Sequence, residues 1–261
     1  MGPEEFVSAL RRRLHLPLPL HAAKCMCGTM QDALGDHSLS CNRAGNYQRR
    51  GRLFEHAWVR VFEEAGARVK RNCLVRDLAL PGARDFRDTR VLDFVARGLP
   101  LHNGLPVCVD VTVTSPVTGR GFPKSRAALS SSGSTFKEAE RVKRLTYHDV
   151  VRESDRCGFR ILAVEIGGCF SKTCQDTVSR LVRHAARSFP ESTRDTAAAA
   201  LARRWANQLS VALQKAVVAG FCSTSQDPFM SYGSVPCLSD LCDGTRDVGP
   251  LVSRLPGCAP V

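Results

Sequence analysis

The sequence has no long hydrophobic run. No stretch approaches the roughly 18–20 consecutive apolar residues that a membrane-spanning helix requires, so we expect no membrane partner. Its opening, MGPEEFVSALRRRLHLPLPL, places acids before basic residues and has no continuous apolar segment, unlike a secretory signal. Phe6 stands where an N-myristoylation signal has Ser or Thr. We therefore expect a chain that is not secreted and that resides in the nucleus or the cytoplasm.

Several catalytic motifs are also missing. The sequence contains no G-x-x-x-x-G-K-[ST], no G-x-S-x-G and no H-E-x-x-H. These motifs carry, in that order, the phosphate-binding loop of many nucleotide hydrolases, the nucleophile of α/β-hydrolases and the zinc-binding histidines of zinc proteases. Their absence argues against all three functions.

The twelve cysteines do not form the pattern of a disulfide framework. Several lie in or beside apolar runs, as small buried hydrophobic residues do: Cys73, Cys108, Cys157 and Cys169. Without an export signal, this distribution indicates an intracellular reducing compartment.

The balance of charge is strongly basic. The chain carries a formal charge of +12 and has a pI near 9.4, with arginine supplying most of the positive charge. Arginine is the residue best suited to bidentate contacts with phosphate. The composition therefore favours a polyanionic partner, nucleic acid first, although a solvated basic surface would give the same charge.

One group of cysteines does have the spacing of metal ligands. Cys25, Cys27, His37 and Cys41 lie in KCMCGTMQDALGDHSLSC, and its glycines permit the turns that bring ligands together. Three thiolates and one imidazole complete a tetrahedral Zn²⁺ shell with no open position, so the zinc would be structural. Cys73 is a possible substitute ligand, and the alternative is a chance cluster of cysteines beside a surface histidine.

The order of predicted elements favours an α/β fold with a mixed central sheet flanked by helices. Helical periodicity marks residues 4–14, a helix through Phe54, Trp58 and Phe62 that ends at Gly66, and residues 135–154, 170–188 and 193–219. Strands are predicted at 68–75, 91–96, 107–114 and 159–166. We divide the chain into an N-terminal helix and zinc knuckle (1–45), the α/β domain (46–219) and an irregular tail (220–261).

Three acids fall where a carboxylate is expensive to bury without a partner. Asp93 and Asp110 each sit inside a strand-like apolar run, and Glu55 lies at the edge of an apolar helical stripe. Acids on adjacent strands can share a divalent cation such as Mg²⁺ or Mn²⁺. The alternatives are that each acid caps a strand or a helix, or pairs with one of the many arginines.

Basic and aromatic residues complete the candidate site. Lys143 interrupts the apolar arc of the helix at 135–154, where it either extends its ammonium to solvent or meets a buried carboxylate. Tyr147 lies one turn further on the same face and could hold the lysine or a phosphate. Candidate phosphate contacts, each of which could equally be a solvated basic residue, are Arg49, Arg50, Arg52, Lys124 and Arg126.

These features together resemble a known family. The order is a CxC…HxxxC knuckle, a helix ending in Ala-Gly, a strand with Asp93, the stretch DVTVTSP and a Lys-x-x-x-Tyr helix. It resembles the C-terminal region of non-LTR retrotransposon reverse-transcriptase polyproteins, over about residues 3–215. That region pairs a CCHC zinc knuckle with a restriction-like endonuclease of the PD-(D/E)XK superfamily. The resemblance implies a restriction-endonuclease-like core.

The resemblance also implies roles for individual residues. Asp93 and Asp110 would be ligands of the catalytic metal, Lys143 the active-site lysine, Glu55 the accessory acid and Tyr147 the tyrosine after the lysine. The sequence departs from the family pattern where Leu92 replaces proline, where Thr112 replaces the lysine two residues after Asp110, and where Gly51 replaces a histidine. No Tyr-x-Asp-Asp of a reverse transcriptase occurs, so we expect a fragment, a stand-alone derivative or a decayed copy.

Three functional hypotheses follow. The first is a Mg²⁺- or Mn²⁺-dependent DNA endonuclease, which within an element would nick target DNA to prime reverse transcription. Its partners would be double-stranded DNA and, as a second candidate, the element RNA. The second is a catalytically inactive nucleic-acid-binding module of the same fold, which the departures favour. The third is a purely structural interaction domain.

Overall fold

A four-stranded mixed sheet lies at the centre of the fold. The computed structural model describes residues 1–18, 24–25, 27–41, 46–78, 87–124 and 134–222. The strands lie side by side in sequence order: β1 (Arg68–Leu74), β2 (Val91–Arg97), β3 (Val107–Thr114) and β4 (Gly158–Glu165). β1, β2 and β3 pair antiparallel and β3 pairs parallel with β4. The predicted strands and the mixed sheet are confirmed.

Helices precede, interrupt and follow the strands. They are α1 (Pro3–Arg13), α2 (Asp36–Ser40), α3 (Asn46–Glu64), α4 (Ser134–Thr146), α5 (His148–Arg152), α6 (Lys172–Ala186) and α7 (Arg194–Cys222), with 3-10 turns at Val75–Leu78 and Glu191–Thr193. No helix among the described residues is long and apolar enough to cross a membrane.

Helix α3 forms because its apolar residues recur at helical spacing, and it buries them against the sheet. Phe54, Trp58 and Phe62 are fully buried, and successive rings meet edge-on at centroid distances of 6.3 Å. Phe62 then contacts Phe94 of β2 at 5.1 Å. Edge-to-face aromatic contacts of this kind add to the energy of area burial, so this row fixes α3 across the sheet.

Helix α7 covers the outer side of α3. Trp205, Leu209 and Leu213 are buried in the same core as α3, and Trp205 Nε1 donates to Glu64 Oε2 at 2.8 Å. The helix continues through Cys222. The predicted irregular tail therefore starts too early at residue 220, because α7 still buries Phe221 there. The rest of that tail lies outside the described residues.

The two faces of the sheet have different cores. Alternate residues of β3 point to opposite faces, so Val109 joins the core with α3 and α7, whereas Cys108 packs with Tyr147 and Val150. Ile161 of β4 packs with Phe136 of α4 on this second face. Helices thus flank both faces, and the even-numbered residues of β3, Asp110 included, lie under α4.

The helix predicted over residues 135–154 is broken. Tyr147 leaves helical geometry (φ −109°, ψ 36°) between α4 and α5. Its ring is buried beside Phe159 at 5.4 Å, and its hydroxyl donates to Val91 O at 2.7 Å. Apolar spacing alone predicted a continuous helix, because it does not register an aromatic residue that turns inward to contact a strand.

Candidate functional site

Four ligand atoms converge in the segment that connects α1 to α3. The sulfur atoms of Cys25, Cys27 and Cys41 and a ring nitrogen of His37 all lie within 4.8 Å of one another. Cys25 Sγ and Cys41 Sγ are 3.7 Å apart, and Cys27 Sγ is 3.2 Å from His37 Nε2. A tetrahedron with zinc–sulfur bonds of about 2.3 Å has edges of about 3.8 Å, so the spacing can hold a metal ion. The ligand set is compatible with zinc.

A tight turn brings the first two cysteines to this cluster. The Cys25 N–H donates to Thr29 O at 2.9 Å, and the Gly28 N–H donates to Cys25 O at 2.7 Å. Gly28 has a φ of 87°, a left-handed conformation that glycine adopts without the strain of a Cβ. The turn thus accompanies the close approach of the Cys25 and Cys27 sulfur atoms, which lie within 4.8 Å of each other.

Helix α2 supplies His37, the residue that follows the helix is the ligand Cys41, and Asp32 fixes the start of the helix. One Asp32 carboxylate oxygen accepts from the N–H groups of Leu34 and Asp36, both at 3.0 Å, and the other accepts from the His37 N–H at 2.6 Å. Burial by itself raises the pKa of Asp32, but these donors outweigh it and bring the pKa below its usual value. At the far end of α2, the Cys41 N–H donates to His37 O at 2.8 Å.

The thiols differ in acidity. Hydrogen bonds from the Thr29 hydroxyl and backbone N–H lower the pKa of Cys27 to about 6, whereas burial raises the pKa of Cys25. Zinc binds thiolates, so a pre-lowered pKa favours metal binding at neutral pH. With four protein ligands, a tetrahedral zinc has no position left for a substrate or a reacting water.

Arg50 joins this cluster to the sheet. Its guanidinium donates from Nη1 to Leu39 O at 2.6 Å and from Nη2 to Val113 O at 3.1 Å, and Arg50 is only 2% exposed. The prediction that Arg50 contacts phosphate is therefore wrong for this structure, because the guanidinium is buried on backbone carbonyls. A second link is the Ser40 hydroxyl, which lies 3.1 Å from Val117 O.

Asp110 is the most deeply buried acid of the candidate active site. It is 1% exposed and lies on β3 under α4. Its Oδ2 accepts from Lys143 Nζ at 2.8 Å, and its Oδ1 accepts from the Thr112 hydroxyl at 3.1 Å. The helix thus brings Lys143 to the carboxylate, and the buried charge is paired as burial requires.

Asp93 lies where β2 and β3 separate. Their pairing ends at Phe94 and Val109, and the Val111 N–H donates to Asp93 Oδ2 at 2.5 Å instead of to the backbone. Burial, followed by the negative charge of Asp110, raises the pKa of Asp93 to about 7. The two carboxylates are therefore close enough to repel each other, as acids that share a cation do.

Glu55 is buried but differently engaged. It is 4% exposed and accepts from Arg71 Nε at 3.3 Å, while its charge further raises the pKa of Asp93. Within the part of the chain that the structure describes, the Cys/His cluster is the one group of three or more His, Cys, Asp or Glu ligand atoms within 4.8 Å of each other. Glu55, Asp93 and Asp110 are thus not assembled as a three-ligand set.

Tyr147 supports the lysine rather than facing solvent. Lys143 Nζ lies 5.8 Å from the centroid of the Tyr147 ring, within range of a cation–π contact. The tyrosine hydroxyl is used by Val91 O, and burial with the charges of Asp110 and Asp93 raises the pKa of Tyr147. The phenol is therefore neutral at physiological pH.

The predicted phosphate contacts have mixed outcomes. Arg52 and Lys124 are exposed and their roles stay predictions. The side chain of Arg49 and the whole of Arg126 lie outside the described residues.

Arg90 is a residue that sequence reasoning missed. Its guanidinium binds Asp88, with Nη2 to Oδ2 at 2.6 Å, and also Asp149 and the Thr146 carbonyl. These contacts raise the pKa of Arg90 and connect the start of β2 to the junction of α4 and α5. The Asp-x-Arg spacing was visible in the sequence, but the partner Asp149 lies in a distant segment that no local pattern links to it.

Glu165, at the end of β4, is a further polar residue near the face of the sheet that α4 covers. It pairs in register with Thr114 and accepts a hydrogen bond from the Thr135 hydroxyl at the start of α4. Together with Asp110 and Thr112, it extends a row of polar groups along the sheet under α4.

The fold and the two sites define an α/β protein with a four-stranded mixed sheet, helices on both faces and a Cys/His cluster near the N-terminus. No family model and no curated protein matches the chain. The function therefore has to be argued from the site itself.

Proposed function

We propose that the chain is a divalent-metal-dependent DNA endonuclease domain with a restriction-endonuclease-like core and a structural zinc knuckle. The observation that carries the proposal is the contact of Lys143 with Asp110, across from a second acid on the adjacent strand, Asp93. Two acids can hold a divalent ion for metal-assisted phosphodiester hydrolysis, and a lysine can stabilise the negative charge that develops on the phosphate. The resemblance to the endonuclease region of non-LTR retrotransposon polyproteins supports the same assignment.

The strand arrangement is compatible with a restriction-like core. The acids lie on two antiparallel neighbours, β2 and β3, and the parallel strand β4 follows after the helix that carries Lys143. Thr112 occupies the position two residues after Asp110, where the family pattern has lysine, and the lysine comes from α4 instead. A lysine ammonium thus contacts the Asp110 carboxylate from helix α4 rather than from strand β3.

In this proposal, Asp93 and Asp110 hold the divalent ion. The bound Mg²⁺ or Mn²⁺ would polarise the phosphate and lower the pKa of an attacking water. Asp93 has a pKa of about 7, so without a cation it carries its negative charge only at neutral or higher pH. A nearby cation would favour the ionised form at lower pH as well. Glu55 adds negative potential to the same site, which strengthens the attraction of a cation.

Lys143 counters negative charge at the reacting phosphate. Its side chain is 30% exposed whereas that of Asp110 is 2% exposed, so the ammonium faces outward while remaining tied to the carboxylate. Electrostatic groups held in place before the reaction act on the charge that develops in the transition state. Tyr147 and Arg90 keep α4 in position on β2.

The zinc knuckle would hold DNA against this site. It is fixed to the end of β3 by Arg50 and Ser40, so its surface keeps a constant position relative to Asp110. Exposed Arg52 and Lys124 would contact phosphates, and binding would weaken steeply as salt rises.

A second candidate function is a nucleic-acid-binding module without catalysis. The Asp110–Lys143 ion pair is complete without any metal, and Thr112 donates to the same carboxylate. A buried acid satisfied in this way needs no cation to be stable. This module would still bind DNA in a salt-dependent manner, whereas a purely structural interaction domain would not.

A plasmid-nicking assay with Mg²⁺ or Mn²⁺ tests the proposal. We expect Asp110→Asn and Lys143→Met to lower the nicking rate by about 100-fold or more, since each removes charge that acts on the transition state. Matched controls are Asp155→Asn and Lys137→Met, which change exposed residues of the same types. Equal nicking by all five proteins contradicts the endonuclease, and salt-sensitive DNA binding without nicking supports the second candidate.

A further inference from the structure

A short hairpin extends from the end of β3 beside the knuckle. Val117 and Pro123 form an antiparallel bridge, the Thr118 N–H donates to Phe122 O at 2.7 Å, and the Gly121 N–H donates to Thr118 O at 3.0 Å. Gly121 has a φ of 77°, which suits glycine at a tight turn. The backbone that carries Phe122 is therefore held in one conformation.

Phe122 is the most exposed large apolar side chain among the described residues, at 67%. A phenylalanine on the surface of a fixed turn contributes little to folding, because its ring stays in water. An aromatic ring presented in this way is suited to contact another flat, apolar surface. The charges next to Phe122 indicate what kind of partner offers that surface.

The surroundings of the hairpin favour an anionic partner. Arg120 and Lys124 flank Phe122 and are exposed, and neither makes an ion pair within the described part of the chain. A cavity of about 390 Å³ beside the turn is lined by Arg12, His15, Asp32, Leu34, Asp36 and Arg120, among others.

The acids of this cavity are already occupied. Asp32 accepts N–H groups of α2, and Asp36 pairs with Arg12. Neither acid forms an ion pair with Arg120, so within the described residues its guanidinium is open to an external anion beside an exposed ring. Polymers that offer both a π-face and a phosphate at short intervals are single-stranded nucleic acids.

We infer that Phe122 stacks on an unpaired DNA base while Arg120 and Lys124 contact the adjacent phosphates. This inference rests on the proposed function for the choice of DNA as the polymer. It adds to that function a defined role for the hairpin, which is recognition of a locally opened strand rather than of intact duplex.

The hairpin is close enough to the acids to act at the same DNA site. The chain from Asp110 to Phe122 spans at most about 43 Å when extended, and the bases of one strand are about 3.4 Å apart along B-DNA. The stacked base therefore lies within about thirteen steps of a phosphate held at Asp110. Opening of the duplex would take place on the same stretch of DNA as cleavage.

Binding of a fluorescein-labelled oligo(dT), measured by anisotropy without divalent metal, tests the inference. We expect both Phe122→Ala and Phe122→Leu to bind about 5- to 100-fold more weakly, because stacking on a base is lost in each. Phe122→Trp should bind at least as tightly as wild type. A duplex of equal length should bind all four proteins within about twofold, since duplex binding depends on phosphate contacts.

Phe189→Ala is the matched control. Phe189 is also exposed, at 42%, and lies five residues before α7 begins at Arg194. The knuckle packs at the other end of that helix, where Gly35 lies next to Phe221. The helix is about 40 Å long at 1.5 Å per residue, so the control ring is remote from the hairpin. Thermal melts should coincide for all variants, because both rings are exposed.

Three outcomes overturn the inference: no binding of oligo(dT) by wild type at low salt, unchanged binding by Phe122→Ala, or full binding by Phe122→Leu. Quenching of a 2-aminopurine base by wild type and by Phe122→Trp, and not by Phe122→Leu, gives independent support. The proposed endonuclease fails separately. If wild type nicks plasmid but Phe122→Ala binds oligo(dT) normally, only the stacking inference is overturned. If Phe122 stacks on DNA but wild type does not nick plasmid, only the proposed endonuclease is overturned.

Discussion

The Cys/His cluster and the Asp93–Asp110–Lys143 site bury polar groups in opposite ways. The cluster takes all four ligands from one segment, Cys25 to Cys41, and brings their atoms within 4.8 Å. The acid site takes its groups from β2, β3 and α4, and satisfies Asp110 with Lys143 and Thr112. The first site can hold a cation with four ligand atoms, whereas in the second the chain's own lysine already pairs with Asp110.

In the proposed function, this difference would separate a structural from a catalytic use of a metal. A cluster of three thiols and one imidazole that binds zinc gains stability from the ion. At the acid site the chain already compensates Asp110, and the unfavourable energy is concentrated on Asp93, whose pKa is raised to about 7. A cation is therefore expected to hold the knuckle permanently and to bind the acid site reversibly.

Removal of zinc is expected to have the largest effect. Cys27→Ser should lower zinc content from about one per chain towards zero and destabilise the folded state by on the order of 5 kcal/mol or more, because zinc binding contributes directly to folding. Metal analysis and urea unfolding measure the two quantities. Cys169→Ser, which changes an exposed cysteine outside the cluster, is the control. A Cys27→Ser chain with full zinc content would show that the cluster is not the ligand set.

The pH dependence of stability tests the acid site. The pKa of Asp93 is about 7 in the folded chain and about 3.9 when unfolded, so the folded state binds more protons between these values. The contribution of Asp93 to stability is therefore full below pH 4 and is lost as pH rises towards 7, by up to about 4 kcal/mol at 1.36 kcal/mol per unit. Urea unfolding at a series of pH values should show this slope in wild type and lose it in Asp93→Asn.

Addition of Mg²⁺ or Mn²⁺ sharpens the same measurement. A cation that binds only the folded, ionised site restores stability at pH 8, so wild type should gain and Asp93→Asn should not. A metal response that Asp93→Asn retains in full would place the divalent ion elsewhere.

Local pattern was sufficient to predict the Cys/His cluster and most of the elements. Cys25, Cys27, His37 and Cys41 lie within one segment, so their spacing alone indicated that they converge, whereas the short helix α2 was not predicted. The strands β2 and β3 were likewise predicted from runs of Val, Leu, Phe and Cys, since such residues favour a pleated, buried surface.

What failed was prediction of contacts between distant segments. Arg50 belongs to an Arg-rich run that reads as a basic surface, yet it is buried on Leu39 O and Val113 O. Tyr147 follows helical spacing, yet its contact with Val91 ends the helix. Arg90 pairs with Asp149. In each case the partner is far along the chain, so the tertiary fold, and not the local sequence, sets the role.

The Lys143–Asp110 pair should show a smaller effect than Asp93. Breaking a buried ion pair by removing one partner typically costs about 3–5 kcal/mol, but the Lys143 side chain is 30% exposed, and we expect about 2–3 kcal/mol for Lys143→Met. Combining it with Asp110→Asn should recover much of this loss in a double-mutant cycle. Strictly additive losses would mean that the pair is not coupled and that α4 does not deliver the lysine.

Tyr147→Phe is expected to have the smallest effect, and it decides whether this residue is catalytic. The change removes the hydroxyl, which donates to Val91 O and also interacts with the Asp110 carboxylate, an interaction that, after burial, raises the pKa of Tyr147; a hydrogen bond of this kind contributes about 1 kcal/mol. The ring contacts with Phe159 and Lys143 remain, so nicking should fall by less than about threefold. Tyr147→Ala, which removes the ring, should lower both stability and nicking. A large loss of nicking in Tyr147→Phe without loss of stability would instead assign the hydroxyl to the phosphate, and would mean that the hydroxyl leaves Val91 when DNA binds.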